Sequence, residues 1–125
     1  MDKNSNFFET GTKYIFDARL AKKIGLNNAI VFGNLVCQIN DSKSDARIFK
    51  NGKYWIVRSY KNWHEEIFPF FSECTLKRTF LNLEKIGAIE SFKPYKTDFN
   101  ATKAYTIKYE FADDIMKGGF KIWLN

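Results

Sequence analysis

Apolar residues recur along the chain at two periods, and the changes from one to the other mark its elements. From Leu26 the run LNNAIVFGNLVCQIN places Leu26, Ala29, Ile30, Phe32, Leu35, Val36 and Ile39 mainly along one side of a helix, with Asn27 or Asn28 near its start. This predicts the main core helix. Ahead of it, Asp17 reads as a helix cap for the short amphipathic piece ARLAKKIG, which Gly25 closes, and KYIF at 13–16 reads as a short edge strand. The stretch DSKSDA that follows is a loop by composition. A second helical stripe comes later, where Leu76, Phe80, Leu83 and Ile86 recur at intervals of four, three and three. Ser72 stands at its N-cap, where a hydroxyl accepts from free backbone N–H groups, and Gly87 stands where a C′ glycine is expected.

Between the two helices the pattern changes. In IFKNGKYWIV two β-prone arms flank Asn51-Gly52, a pair suited to a type I′ turn because both central residues take positive φ. Ser59 then caps SYKNWHEEIF, in which Tyr60, Trp63 and Ile67 repeat at three and four, and Pro69 ends it. The short FPFF link leads straight to the Ser72 cap, so two short helices follow each other as in a helix-turn-helix. Beyond Gly87, AIESFKPY and KAYTIKYE are strand-like, with Tyr105, Ile107 and Tyr109 alternating as one buried face. The polar segment KTDFNAT joins them, flanked by Lys93, Lys96 and Lys103. The order as a whole is α+β: a winged helix-turn-helix of three or four helices, with a β-hairpin before the helix-turn-helix and a two-stranded wing after it.

Length sets the scale. At 125 residues the chain is long enough for one real core and too short for two, so residues 1–125 read as a single domain with its core at 14–110. Residues 111–125 form a tail whose Phe120, Ile122, Trp123 and Leu124 are apolar enough to dock on the domain or to pair two copies. No run reaches a membrane span, and the start MDKNSNFFETG is polar and acidic rather than a signal sequence, so the expected location is the cytosol. Cys37 and Cys74 read as free thiols, and His64, the single histidine, reads as a partly exposed helix residue. Trp55, Tyr60 and Trp63 read as core rather than as platforms for stacked bases. No nucleophile, metal-ligand or phosphate-loop motif appears, which points to a binding module with no cofactor rather than an enzyme.

Charge gives the candidate surface. The formal net charge is +6, and thirteen basic against seven acidic residues lie between 42 and 108, so the excess sits in the middle of the chain. The core stripe of the helix between Ser72 and Gly87 leaves Thr75, Lys77, Arg78, Asn82 and Lys85 on other sides of it. With double-stranded DNA as partner, Lys77, Arg78 and Lys85 would approach phosphates or guanine edges, Thr75 and Asn82 would contact bases, and Ser72 would stand at the helix start. Lys93, Lys96 and Lys103 would add charge neutralisation from the wing.

The succession ARLAKKIGLNNAIVFGNL, then KNGKYWIVRSYKNWHEEIFPFFSECTLKRTFLNLEKIGAI, then TKAYTIKYE resembles the N-terminal winged-helix domain of replication-initiation proteins of phages and plasmids of Gram-positive bacteria, related to primosomal replication proteins. The resemblance covers roughly residues 14 to 110. It implies origin binding and the recruitment of replication partners. Such proteins commonly continue into a second domain, whereas this sequence stops at Asn125. Cys74, Arg78, Leu81 and Lys85 fall opposite Leu76 and Phe80, and an exposed Leu81 there suits protein contact better than phosphate contact. An alternative therefore stands beside DNA binding: a phage-encoded interaction or inhibitor module directed at a host nucleic-acid protein. A homodimer through the tail fits either reading.

Overall fold

The computed structural model describes residues 13–95 and 102–116. Within them the chain is α+β, with five helices and one four-stranded antiparallel sheet. Helix α1, Ala18–Ile24, begins at Asp17, whose carboxylate accepts from the backbone N–H groups of Arg19 (2.8 Å) and Leu20 (3.2 Å). The Arg19 side chain hydrogen-bonds the same carboxylate and holds its pKa below the ordinary value. Gly25, at φ +96°, ends α1 and opens α2, Leu26–Ile39, as the single residue between the two helices. Ala29, Phe32, Leu35, Val36 and Ile39 are buried as expected. Val31 is buried as well, and Leu26, in the first turn, is exposed.

Strands β1, Arg47–Lys50, and β2, Lys53–Arg58, form the hairpin, with Lys50 opposite Lys53 and positive φ at both Asn51 (55°) and Gly52 (75°). With β3, Ile89–Phe92, and β4, Lys103–Ile107, the spatial order is β1-β2-β4-β3. Strand β4 is interior to this sheet, and Ala104, Tyr105, Thr106 and Ile107 are all buried. The expected alternation ending at Tyr109 therefore does not hold: Tyr109 starts α5, Tyr109–Met116, and is exposed.

Helix α3 begins with Tyr60–Asn62, capped by Ser59 Oγ accepting from the Asn62 N–H (3.0 Å), and continues as a π-helical turn over Trp63–Ile67. The Phe68 N–H closes that turn on the Trp63 carbonyl at 2.7 Å. The widening has a packing cause. Trp63 and Phe68 are both fully buried and stack at 5.9 Å, yet residues five apart on an α-helix diverge by roughly 140°. Opening the helix by one residue lets both rings face the core. The KYIF segment is not a strand: Tyr14 instead donates its hydroxyl to the Ile67 carbonyl and lays its ring against Phe68 and Phe70, while Ile15 and Phe16 stay exposed. It lies at the end of α3 rather than along a sheet edge.

Helix α4, Glu73–Lys85, is bounded as its sequence suggests. Ser72 Oγ accepts from the Thr75 N–H (3.1 Å), and Gly87, at φ +80°, donates to Glu84 O while Ala88 donates to Leu83 O. Leu76, Phe80 and Leu83 are fully buried and Thr79 nearly so. Ile86, the last position of the predicted stripe, is the C-cap residue and is exposed. One hydrophobic cluster draws on α1 through Leu20, on α2, α3 and α4, on β2, β3 and β4, and on α5 through Ala112. At its centre Phe80 stacks on Tyr105 (4.4 Å between centroids) and meets Trp63 (5.0 Å), and the Tyr60 and Tyr105 hydroxyls are hydrogen-bonded at 3.0 Å. Burial raises the pKa of Tyr105. The apolar tail residues Phe120, Ile122, Trp123 and Leu124, assigned to docking or pairing, lie outside the described residues. Among the described residues no helix is long and apolar enough to cross a membrane.

Removing the central ring tests this core. Phe80→Ala is expected to lower unfolding free energy by about 3–5 kcal/mol in urea denaturation, as a buried aromatic truncation does; a loss below about 1 kcal/mol would show that α4 is held elsewhere.

Candidate nucleic-acid interface

Burial of Leu76, Thr79, Phe80 and Leu83 fixes the roll of α4 about its axis. At 100° per residue the direction opposite that stripe passes through Cys74, Arg78, Leu81 and Lys85, with Lys77 on one flank and Asn82 on the other. All six are exposed. The side chains of Lys77, Arg78, Asn82 and Lys85 make no hydrogen bond or ion pair among the described residues, so their donors are open to solvent. Of the helix's own two carboxylates, Glu73 lies in the first turn, where it complements the helix dipole, and Glu84 is half-buried on the Lys77 flank.

The remaining predicted contacts divide. Ser72 is committed to the cap: besides accepting from the Thr75 N–H, its hydroxyl donates to Thr75 Oγ1 at 2.9 Å. Thr75 is half-buried and its carbonyl accepts from Thr79 Oγ1 at 2.7 Å. Lys93 is exposed just past the end of β3. Lys103 is the first residue of β4 and half-buried, with its ammonium 4.0 Å from Glu84 Oε1, so it ties the strand to the flank of α4 instead of standing out at a tip. Lys96 lies outside the described residues.

Beside α4 the chain supplies a wall that the sequence did not announce. Arg78, Thr79 and Asn82 face Gly25, Leu26, Asn27 and Asn28 across a groove of about 320 Å³. Asn28 is held there by donating its side-chain amide to Ile24 O at 2.6 Å. The signal was the run Gly25-Leu26-Asn27-Asn28 at the junction of two helices, which by itself marks only a turn.

Of the aromatic residues set aside as core, Trp63 is fully buried and Trp55 is 6% exposed, with its Nε1–H donating to the Lys50 carbonyl, while Tyr60 is half-buried against the cluster. His64 donates Nδ1–H to the Phe71 carbonyl and so pins the link between α3 and α4. Cys37 and Cys74 are free and exposed, and partial burial pushes the Cys37 thiol pKa up. Chemically the face offers two ammonium groups, a guanidinium and a carboxamide on one convex helix. That set can neutralise phosphates and pair with base edges.

The cap beneath this face can be tested apart from any ligand. Ser72→Ala is expected to cost about 1 kcal/mol of stability and Ser72→Asp to retain most of it, because aspartate also accepts at an N-cap; equal stabilities of all three proteins by thermal denaturation would remove the cap from the account. Compared with protein-family models, curated proteins and solved structures, the chain finds no match in any of the three.

Proposed function

We propose that the chain is a winged helix-turn-helix module that binds double-stranded DNA with α4 in the major groove. In this reading α3 and α4 are the helix-turn-helix, β3 and β4 are the wing, and the biological setting is initiation of phage or plasmid replication. The observation that carries it is the convex face of α4, where Lys77, Arg78, Asn82 and Lys85 are exposed and unengaged among the described residues. A helix with side chains is about 10–12 Å across and the major groove is about 12 Å wide, so one helix fits it. From Lys77 to Lys85 the helix rises about 12 Å, enough to place cations near phosphates at both ends of the contact.

Roles follow from the positions. Lys77 and Lys85 neutralise backbone phosphates, Arg78 forks onto guanine O6 and N7 or onto a phosphate, and Asn82 suits adenine. Leu81, 47% exposed in the middle of the face, supplies apolar contact of the kind a thymine methyl accepts. The same exposed Leu81 favours a second reading, in which the face docks on a host nucleic-acid enzyme. Capture of a protein partner that survives nuclease treatment and is lost with Leu81→Asp would select it.

For the DNA reading, replacing Lys77 and Arg78 together by alanine is expected to weaken duplex binding across sequences. It should also reduce the slope of log affinity against log salt by about 2, since each phosphate contact contributes roughly 0.9. Gel-shift titrations at several salt concentrations read both quantities. Unchanged affinity and slope would overturn the assignment.

A further inference from the structure

At the far end of β2 a cation sits half out of water with no ion pair among the described residues. Arg58, the last residue of β2, donates Nε–H to Gln38 Oε1 (3.0 Å) and Nη1–H to Asn62 Oδ1 (2.6 Å). Gln38 is itself fixed by donating to Asn34 Oδ1 (2.6 Å), and the guanidinium lies 5.5 Å from the centre of the Trp63 ring. Its position is thus set by two helices, α2 through Gln38 and α3 through Asn62 and Trp63. No carboxylate comes within 4.0 Å of it among the described residues. Burial lowers the Arg58 pKa, while Asp45 and Glu66 act in the opposite sense from greater distance. The group nevertheless stays charged, as arginine does in proteins.

Neutral amides satisfy hydrogen bonds but do not cancel charge. The two amide oxygens meet part of its hydrogen-bonding demand, and its charge is left without a close counter-charge among the described residues. Two of the five guanidinium N–H donors are used, and three remain. Arg58 lines a groove of about 390 Å³ together with Ser59, Asn62, Tyr95 and Asp45. Ser59 Oγ accepts from the Asn62 N–H to cap α3, which leaves its own O–H free to donate. A fork of guanidinium donors and a hydroxyl thus border one open space. Asp45, on the same groove, sets the charge the site tolerates by repelling multiply charged anions.

We infer that this groove is an oxyanion site that takes a singly charged phosphate group of the phosphodiester type, with Arg58 as its bidentate donor and Ser59 as a second donor. An oxyanion adds to the guanidinium's hydrogen bonds the attraction of opposite charges and a bidentate fit, neither of which the neutral amide oxygens supply. The site does not depend on the reading of α4, and it lies on different elements. The phosphodiester can belong to a free dinucleotide or to a nucleic-acid backbone; the chemistry at Arg58 is the same.

The test follows the assigned Nε–H resonance of Arg58 in the intact wild-type chain, at constant ionic strength, during titration with a thymidine dinucleotide that carries one phosphodiester. A saturable shift of Arg58, with Arg19 and Arg47 unmoved, is expected. Asp45→Asn, an exposed substitution, should tighten the dissociation constant roughly fivefold by removing a like charge. Arg58→Gln should abolish binding, and the wild-type resonance with Asp45→Asn keeps the inference falsifiable should that variant fail to fold. A duplex that shifts Arg58 and is displaced by the dinucleotide assigns the phosphate to backbone; a shift with dinucleotide alone assigns it to a free ligand, and both uphold the site. An unmoved Arg58, an equal shift with acetate, or unchanged affinity in Asp45→Asn would overturn it.

Discussion

Phe80 is gripped on two sides, by Tyr105 of the central strand at 4.4 Å and by Trp63 of α3 at 5.0 Å, and this grip decides which way α4 faces. A helix can roll about its axis, and a roll of one residue would carry the buried stripe about 100° round. Here that would trade Phe80 and Leu76 for polar positions of the same helix. Each fully buried Leu or Phe contributes about 1.5–3 kcal/mol relative to exposure, while an unpaired guanidinium or ammonium is expelled from a core at far greater cost. The outward set of Lys77, Arg78, Leu81, Asn82 and Lys85 is therefore a consequence of core packing.

Local capping completes what the core begins. Ser72 and Gly87 set the two ends of α4, and the Gly87 turn delivers the chain directly into β3. The π-helical turn at Trp63–Ile67 and the His64 bond to Phe71 set the approach from α3. Helix α4 is held at both ends and along one side, which leaves its convex surface as the part with no structural duty. Ser72 and Thr75 belong to the support rather than to that surface, because their hydroxyls are bonded to each other.

Features governed by near neighbours were legible in the sequence. Asn51-Gly52 marks its turn because positive φ is a local requirement, and Asp17, Ser59 and Ser72 mark helix starts because a cap bonds two or three residues onward. Features governed by distant partners were not. The π-helical turn answers the need to stack Trp63 on Phe68, Tyr14 is drawn to Ile67 and Phe68 across the fold, and Tyr109 leaves the strand to begin a helix. Lys103 resembles any wing lysine until Glu84 is placed beside it, and Arg58 looks ordinary until Gln38 and Asn62 converge on it. Periodicity could assign Arg78 and Lys85 to an outer face; it could not show that α2 would supply a wall next to Arg78.

The central claim is that the free face of α4 is the surface that meets DNA. Backbone amide spectra of the isotope-labelled chain, recorded with and without a short duplex of mixed sequence, test it most directly. The account predicts shifts concentrated at residues 74, 77, 78, 81, 82 and 85 and at Lys93, with the buried stripe at Leu76, Phe80 and Leu83 changed far less. Spectra that stay unchanged at saturating duplex, or shifts confined to the β1–β2 hairpin and α5, would contradict it.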